Sequence, residues 1–324
     1  MKKLFKRFML GVTAIAVTWL ATGLVLIATA APTFSAKPFA IPGSGPPACG
    51  ESAMAHCFAA RDGKVLHAQV VAATNNQTIV LLHGIMSSSD EMAPVASALH
   101  AATGAGVVSL DLRGHGASAG VFGDIDYIGQ YEDDVADVVA ALRKTNPQGH
   151  LILAGHSMGG GVAMRYAAKS GMPPVDGYLL FAPHLGDKSP TTRHEESPAA
   201  GAEPPIKLHL RRTIGLLMLN TFGVTAFNGL GTLYFNVAND KGLLHYSFRA
   251  MASCAPLDYH AALTADDKPL LIVAGSRDEA FDAAQYPAVA KLHMHGEAVI
   301  VAGETHDGIL ANPEAIAAAA KWLR

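Results

Sequence analysis

Short aliphatic runs that stop abruptly at glycine or a polar residue recur along this chain, and they restrict its fold more than any other feature. The runs "TIVLLHG" (78–84), "GVVSLDLRG" (106–114), "LILAGHS" (151–157), "GYLLFAPH" (177–184), "LLIVAGSRD" (270–278) and "AVIVAGETH" (298–306) are continuous rather than alternating. Continuous runs of this length suit strands buried on both faces, which is the situation of a parallel sheet between helices. "KVLHAQVVAA" (64–73) reads as an entry strand. The segments between them have helical spacing: "DEMAPVASALHAATG" (90–104), with Asp90 as N-cap; "YIGQYEDDVADVVAALRK" (127–144), with Val135, Val138, Val139 and Leu142 on one face; and "NPEAIAAAAKWLR" (312–324), opened by Asn-Pro. Strands alternating with helices predict an α/β fold with a mainly parallel sheet covered on both faces.

One region interrupts the alternation. Residues 185–256 begin with a polar loop and continue through "IGLLMLNTFGVTAFNGLGTLYFNV". They read as an insertion between core strands, a cap or lid, with extra core helices as the alternative. The predicted organisation is therefore an N-terminal segment (1–36), a Pro- and Gly-rich linker (37–60), a first core part (61–184), the insertion (185–256) and a second core part (257–324).

The N-terminus has its own logic. Lys2, Lys3, Lys6 and Arg7 precede a run without charge from Phe8 to Ala36. That exceeds the apolar region of a cleaved signal peptide and suffices to span a bilayer, although Ala28-Thr29-Ala30 resembles a cleavage site. The length favours an uncleaved anchor. Either way the basic flank stays cytoplasmic and the remainder is exported, facing the periplasm or the outside, or is secreted if the segment is removed. In that oxidising setting Cys49 and Cys57 either close a small loop or remain two thiols, and Cys254 is a small buried hydrophobe. A net charge of −3 with no basic block beyond the N-terminus gives a nucleic-acid partner no electrostatic support.

In an open parallel sheet, ligands gather at the carboxyl ends of the strands, and the polar residues of interest all fall there. Ser157 follows an aliphatic run and precedes a helix, with Gly155 and Gly159 two residues to either side. Such a G-x-S-x-G turn forces the serine into strained backbone and exposes its hydroxyl, the small neighbours letting the turn close. With 32 glycines the pattern alone is cheap; its place between strand and helix gives it weight. An activated serine needs a base and the base an acid. His306 ends one strand run and Asp278 another, in the order Ser157, Asp278, His306. Asp187, Asp282 and Glu279 are competing acids. The backbone N–H groups of Ile85, after His83-Gly84, and of Met158, after the serine, are candidate oxyanion donors. His83, Gly84 and His156 support the loops around the nucleophile. Asp111, Arg113 and His115 in "DLRGHGAS" organise the floor of the site.

"HGIM", "DLRGHGAS", "GHSMGG", "GSRD" and "THDGIL", in this order and spacing, resemble the α/β-hydrolase superfamily, and within it the monoacylglycerol lipase and lysophospholipase-like serine hydrolases. The resemblance covers about residues 61–324 apart from most of the insertion. It implies an eight-stranded, mainly parallel sheet with a helical cap, no cofactor or metal, and hydrolysis of carboxylic esters through a Ser-His-Asp triad. The loop after Gly84 lacks the longer glycine-rich form of some esterases, and the insertion shows no recognisable cap pattern. Leu216, Leu217, Leu219, Phe222, Phe227, Leu233, Tyr234 and Phe235 predict an acyl-lined pocket for a small, lipid-like ester. The alternatives are an aminopeptidase or amidase, for which Glu195 and Glu196 are the nearby acidic pair, an acyltransferase, and a membrane-tethered binding protein.

Overall fold

The computed structural model describes residues 2–35, 37–40, 55–193, 203–239 and 242–324. The continuous aliphatic runs form the centre of an eight-stranded sheet. In chain order the elements are helix α1 (Lys2–Ile27), strands β1 (Phe39–Ala40), β2 (Ala55–Ala59), β3 (Val65–Val71) and β4 (Gln77–Leu82), helix α2 (Ser89–Thr103), β5 (Gly106–Leu110), α3 (Gln130–Thr145), β6 (His150–His156), α4 (Met158–Ala168) and β7 (Gly177–Phe181). There follow β8 (Ile206–Leu208), α5 (Leu210–Asn220), β9 (Gly231–Asn239), β10 (Gly242–Ser247), α6 (Phe248–Met251), α7 (Tyr259–Thr264), β11 (Leu270–Gly275), α8 (Tyr286–Ala290), β12 (Gly296–Val301) and α9 (Pro313–Trp322).

The large sheet has the order β12-β11-β7-β6-β4-β5-β3-β2. From β5 to β12 every pairing is parallel, while β3 runs antiparallel to both β5 and β2. Ile79, Leu81, Ile152, Ala154, Leu179, Phe181, Leu271 and Val273 point from the sheet into a core shared with Met92, Val95 and Leu99 of α2 and Ile316 and Ala319 of α9. This burial on both faces is why the strands read as unbroken apolar runs. It also leaves their carboxyl ends as the place where polar side chains collect.

The chain divides into two compact units, one of residues 1–43 and 197–251, the other of 44–196 and 252–324. The second holds the large sheet. The first consists of α1, α5, α6 and a small sheet in which β9 pairs antiparallel with β8 and β10 and parallel with β1.

Three expectations change. The 37–60 segment is not linker throughout: Ala55–Ala59 is the edge strand β2, whose five residues are too few to stand out as a strand in the sequence. The insertion is not purely helical, since strands β8, β9 and β10 share it with α5 and α6; "GTLYFNV" is rich in aromatic and β-branched residues that favour strand. Helix α2 is capped by Ser88 rather than Asp90, with Glu91 returning to the Ser88 backbone N–H at 2.6 Å to complete a capping box. Cys49, Glu195 and Glu196 lie outside the described residues.

Candidate active site

Ser157 sits between β6 and α4 with φ 53° and ψ −116°, a conformation that L-residues seldom adopt. The strain is held by the surrounding backbone. Its N–H donates to the Phe181 carbonyl at 3.0 Å, and its own carbonyl accepts from Gly161 at 3.1 Å and from His184 at 2.9 Å. The flanking glycines are required by close approach. A Cβ on Gly155 would lie 2.3 Å from the Gly159 carbonyl carbon, and one on Gly159 2.4 Å from the Leu82 carbonyl oxygen. Gly159→Ala is therefore expected to destabilise the fold by about 1–3 kcal/mol through overpacking against backbone that cannot yield. A denaturant midpoint shift measures this.

His306 follows β12, and its Nδ1–H donates to Oδ2 of Asp278 at 3.0 Å. Asp278 follows β11, is buried, and takes the N–H groups of Ala280 and Phe281 on its other oxygen at 2.8 and 2.9 Å. Burial pushes this carboxyl up, but the hydrogen bond and charge of His306, together with the two backbone donors, outweigh it and hold the group below its ordinary range. Asp278 thus stays ionised and fixes the tautomer of His306, leaving Nε2 with its lone pair. The competing acids are placed elsewhere. Asp187 is almost fully exposed and lies 4.0 Å from His184. Asp282 caps the turn at Ala284. Glu279 accepts the backbone N–H of His306 at 3.0 Å and so positions the histidine from behind. That role was not legible in the sequence, because it depends on the fold bringing residues 27 apart to one turn.

A cleft of about 520 Å³ opens on these groups, lined by Ser157, His306, Gly84 and Ile85 with Met92, Val95 and Leu310 among its apolar wall. Its lining comes from the core unit, and Leu216, Leu219, Tyr234 and Phe235 are buried within the other unit instead. Met158 opens α4, where first-turn N–H groups have no acceptor within the helix. His83 donates from Nδ1 to the Gly84 carbonyl at 2.8 Å and accepts from the Leu112 N–H at 3.1 Å on Nε2. Burial lowers its affinity for a proton, so it acts as a neutral clamp on the loop that carries Ile85. The same loop is anchored by Asp111, which accepts from Ser89 N–H at 2.6 Å and Ala117 N–H at 2.9 Å and contacts His67 at 2.9 Å. Arg113 is fully buried between Asp134 and Asp62. His115 stacks at a tilt 5.0 Å from His83.

His156 lies 4.7 Å from His306 ring to ring and donates from Nε2 to the His306 carbonyl at 3.1 Å. His156, His306 and Asp307 bring ligand atoms within 4.8 Å of one another.

Burial drives the pKa of both His115 and His156 down to about 3. In the unfolded chain each titrates near 6.5, so between those values only the unfolded state takes up the proton. Their contribution to stability is present above about pH 6.5 and is lost as pH falls. Lowering the pH from 7 to 5.5 is expected to cost about 1 kcal/mol for each histidine, read as a falling unfolding free energy.

Comparisons with known proteins bear on the fold. The family described as serine aminopeptidase, S33 matches residues 73–220. An sn-1-specific diacylglycerol lipase ABHD11 of Xenopus laevis is 39% identical over 28% of this chain and 27% of its own. A monoacylglycerol lipase of Mycolicibacterium smegmatis is 34% identical over 28% of this chain and 32% of its own. The chain therefore spans about a third or less of the length of these curated relatives. Among solved structures, Est1E of Butyrivibrio proteoclasticus with ferulic acid bound has a TM-score of 0.55 at 20% identity, covering 82% of this chain and 94% of its own. A membrane phospholipase A described as a bacterial virulence factor has a TM-score of 0.57 at 20% identity over 100% of this chain and 98% of its own. The sheet order, the strained serine between β6 and α4 and these likenesses converge on the α/β-hydrolase fold.

Proposed function

We propose that this protein is a membrane-anchored, exported serine hydrolase that cleaves carboxylic esters of lipid-like type, such as monoacylglycerols or lysophospholipids. The observation that carries the reading is the strained Ser157 sharing one cleft with a histidine already hydrogen-bonded to a buried carboxylate. In this reading Ser157 Oγ attacks the acyl carbonyl while His306 Nε2 takes its proton. Asp278 stabilises the imidazolium, and the N–H groups of Ile85 and Met158 receive the oxyanion. His306 then protonates the departing alcohol. Water, deprotonated by the same imidazole, releases the acyl group and restores Ser157.

The apolar wall of Met92, Val95 and Leu310 supports an acyl substrate. The activities for which the lipase relatives are named, and that of the membrane phospholipase A similar over the full chain, support the lipid class. Helix α1 supports the anchor: its stretch Phe5–Ile27 is long and apolar enough to cross a membrane, behind a basic flank.

An aminopeptidase, the activity in the matching family's description, is the second reading. It requires a carboxylate beside the nucleophile to hold a substrate ammonium. Glu91 lines the cleft, but one of its oxygens is engaged by Ser87 and Ser88 at the start of α2. Turnover of nitrophenyl esters from acetyl to palmitoyl, set beside aminoacyl nitroanilides, separates the two. The ester reading expects activity rising beyond the shortest acyl chain and little on the anilides. Preference for an anilide with a free amino group would reverse it.

A further inference from the structure

Helix α5 is apolar on opposite sides, and only one of them is used. Leu216 and Leu219 are buried with Ile27 of α1 and Phe248, whereas Leu210, Ile214 and Leu217, at helical spacing, are exposed, Leu217 at 51%. Phe222 (52%) and Phe227 (37%) extend this apolar surface into the turn after the helix. From Thr213 to Asn239 the sequence holds no charged residue. A helix hydrophobic all round belongs inside a protein or inside a bilayer.

The way α5 lies along α1 decides between these. Arg212, near the start of α5, donates to the carbonyls of Ile27 and Thr29 at 3.2 and 3.0 Å. One turn on, a Cβ at Gly215 would come within 2.7 Å of the Gly23 carbonyl. Further on again, Trp19 donates its indole N–H to Met218 at 3.1 Å. The two helices are therefore antiparallel, and α5 runs back along α1 from its C-terminal end. Residues 19–27 of α1 cover about 12 Å of rise, less than the thickness of one leaflet.

We propose that α5 and the turn 221–227 form a re-entrant element seated in the outer leaflet beside α1, with lipid acyl chains covering Ile214, Leu217 and Phe222. The inference rests on the reading of α1 as a membrane anchor. The polar groups at the tip fit a dry setting, where each must find a partner within the protein. Asn220 and Asn228 exchange two side-chain hydrogen bonds at 2.7 and 2.9 Å, and Asn220 also donates to the Leu216 carbonyl at 2.7 Å. Thr221 donates its hydroxyl to Met218, and the N–H groups of Phe222, Gly223 and Val224 bond back to carbonyls of α5. Arg211 and Arg212 stand at the opposite end, level with the end of α1, where phospholipid headgroups lie.

The full chain, reconstituted in vesicles of phosphatidylethanolamine and phosphatidylglycerol, carries an environment-sensitive fluorophore at Leu217→Cys or Phe222→Cys. Val12→Cys in α1 and the exposed Lys144→Cys in α3 serve as references, and far-UV circular dichroism checks that each variant is folded. The proposal expects blue-shifted emission at 217 and 222 and strong quenching by lipids spin-labelled high on the acyl chain, with Lys144→Cys unquenched. A quenched Val12→Cys beside water-like emission at 217 and 222 would overturn the proposal and leave the anchor standing. An unquenched Val12→Cys removes the anchor itself. Blue-shifted emission at 217 and 222 without lipid quenching also overturns the proposal, because another protein surface, such as a second copy of the chain, then covers α5.

Discussion

Replacing Ser157 with alanine is expected to lower ester turnover by about a millionfold while leaving the fold intact. The change removes one oxygen from a site whose backbone is fixed by neighbours: Phe181 accepts from residue 157, and Gly161 and His184 donate to it. The positive φ costs alanine and serine alike, so stability shifts little. The size of the loss follows from the nucleophile's place in a unit: with Oγ gone, His306 and Asp278 have no proton to move. Only binding and the oxyanion donors remain, a residual effect of about 10³–10⁴ over water in a well-studied triad enzyme. For the same reason, adding His306→Ala to Ser157→Ala is expected to cost almost nothing further. Turnover at saturating ester, measured with the unfolding midpoint of each variant, checks both statements. A Ser157→Ala protein that retains a tenth of the activity would place the nucleophile elsewhere.

Asp278→Asn is expected to lower turnover by about 10⁴, with much less effect on apparent affinity for the ester. The carboxylate at 278 performs two tasks that an amide divides. One oxygen accepts the Ala280 and Phe281 N–H groups, which an amide carbonyl also does. The other faces Nδ1 of His306 at 3.0 Å, where an amide NH₂ presents a donor to a donor. The imidazole then takes the other tautomer or turns away, and Nε2 is no longer a base. Because neighbouring donors hold the Asp278 carboxyl below its ordinary range, the wild-type carboxylate stays ionised into mild acid. A comparable loss in Asp187→Asn, whose side chain is exposed, would contradict this assignment.

Much of the core was legible in the sequence because parallel strands buried on both faces leave unbroken aliphatic runs. The runs around 79, 107, 152, 179, 271 and 299 each became a strand of the large sheet. The strand-end rule then placed Ser157, Asp278 and His306 on one edge before any distance was known. What escaped was the structure built from weak or non-local signals. Strand β2 has five residues on an edge and owes its existence to pairing with β3. The antiparallel strands of the insertion scatter Lys207, Thr232, Asn236 and His245 among apolar residues, so that no clean period of two stands out. The capping box of Ser88 and Glu91 has the S-x-x-E pattern, but Asp90 stands nearer the apolar run and competes with Ser88 as a cap in the sequence. Glu279 and the ring contact of His156 with His306 arise only when distant turns meet. The apolar residues of the insertion gave the most misleading cue. Hydrophobicity alone does not distinguish a substrate pocket from an interior, and several of those side chains pack within their own unit.

Treating the full-length protein with a fluorophosphonate and mapping the adduct by mass spectrometry bears most directly on the joined action of three side chains. The expected outcome is one phosphonyl group per chain, on residue 157, with labelling slowed by orders of magnitude in His306→Ala. A folded wild-type protein that takes up no reagent, or one labelled equally fast without the imidazole, would contradict it.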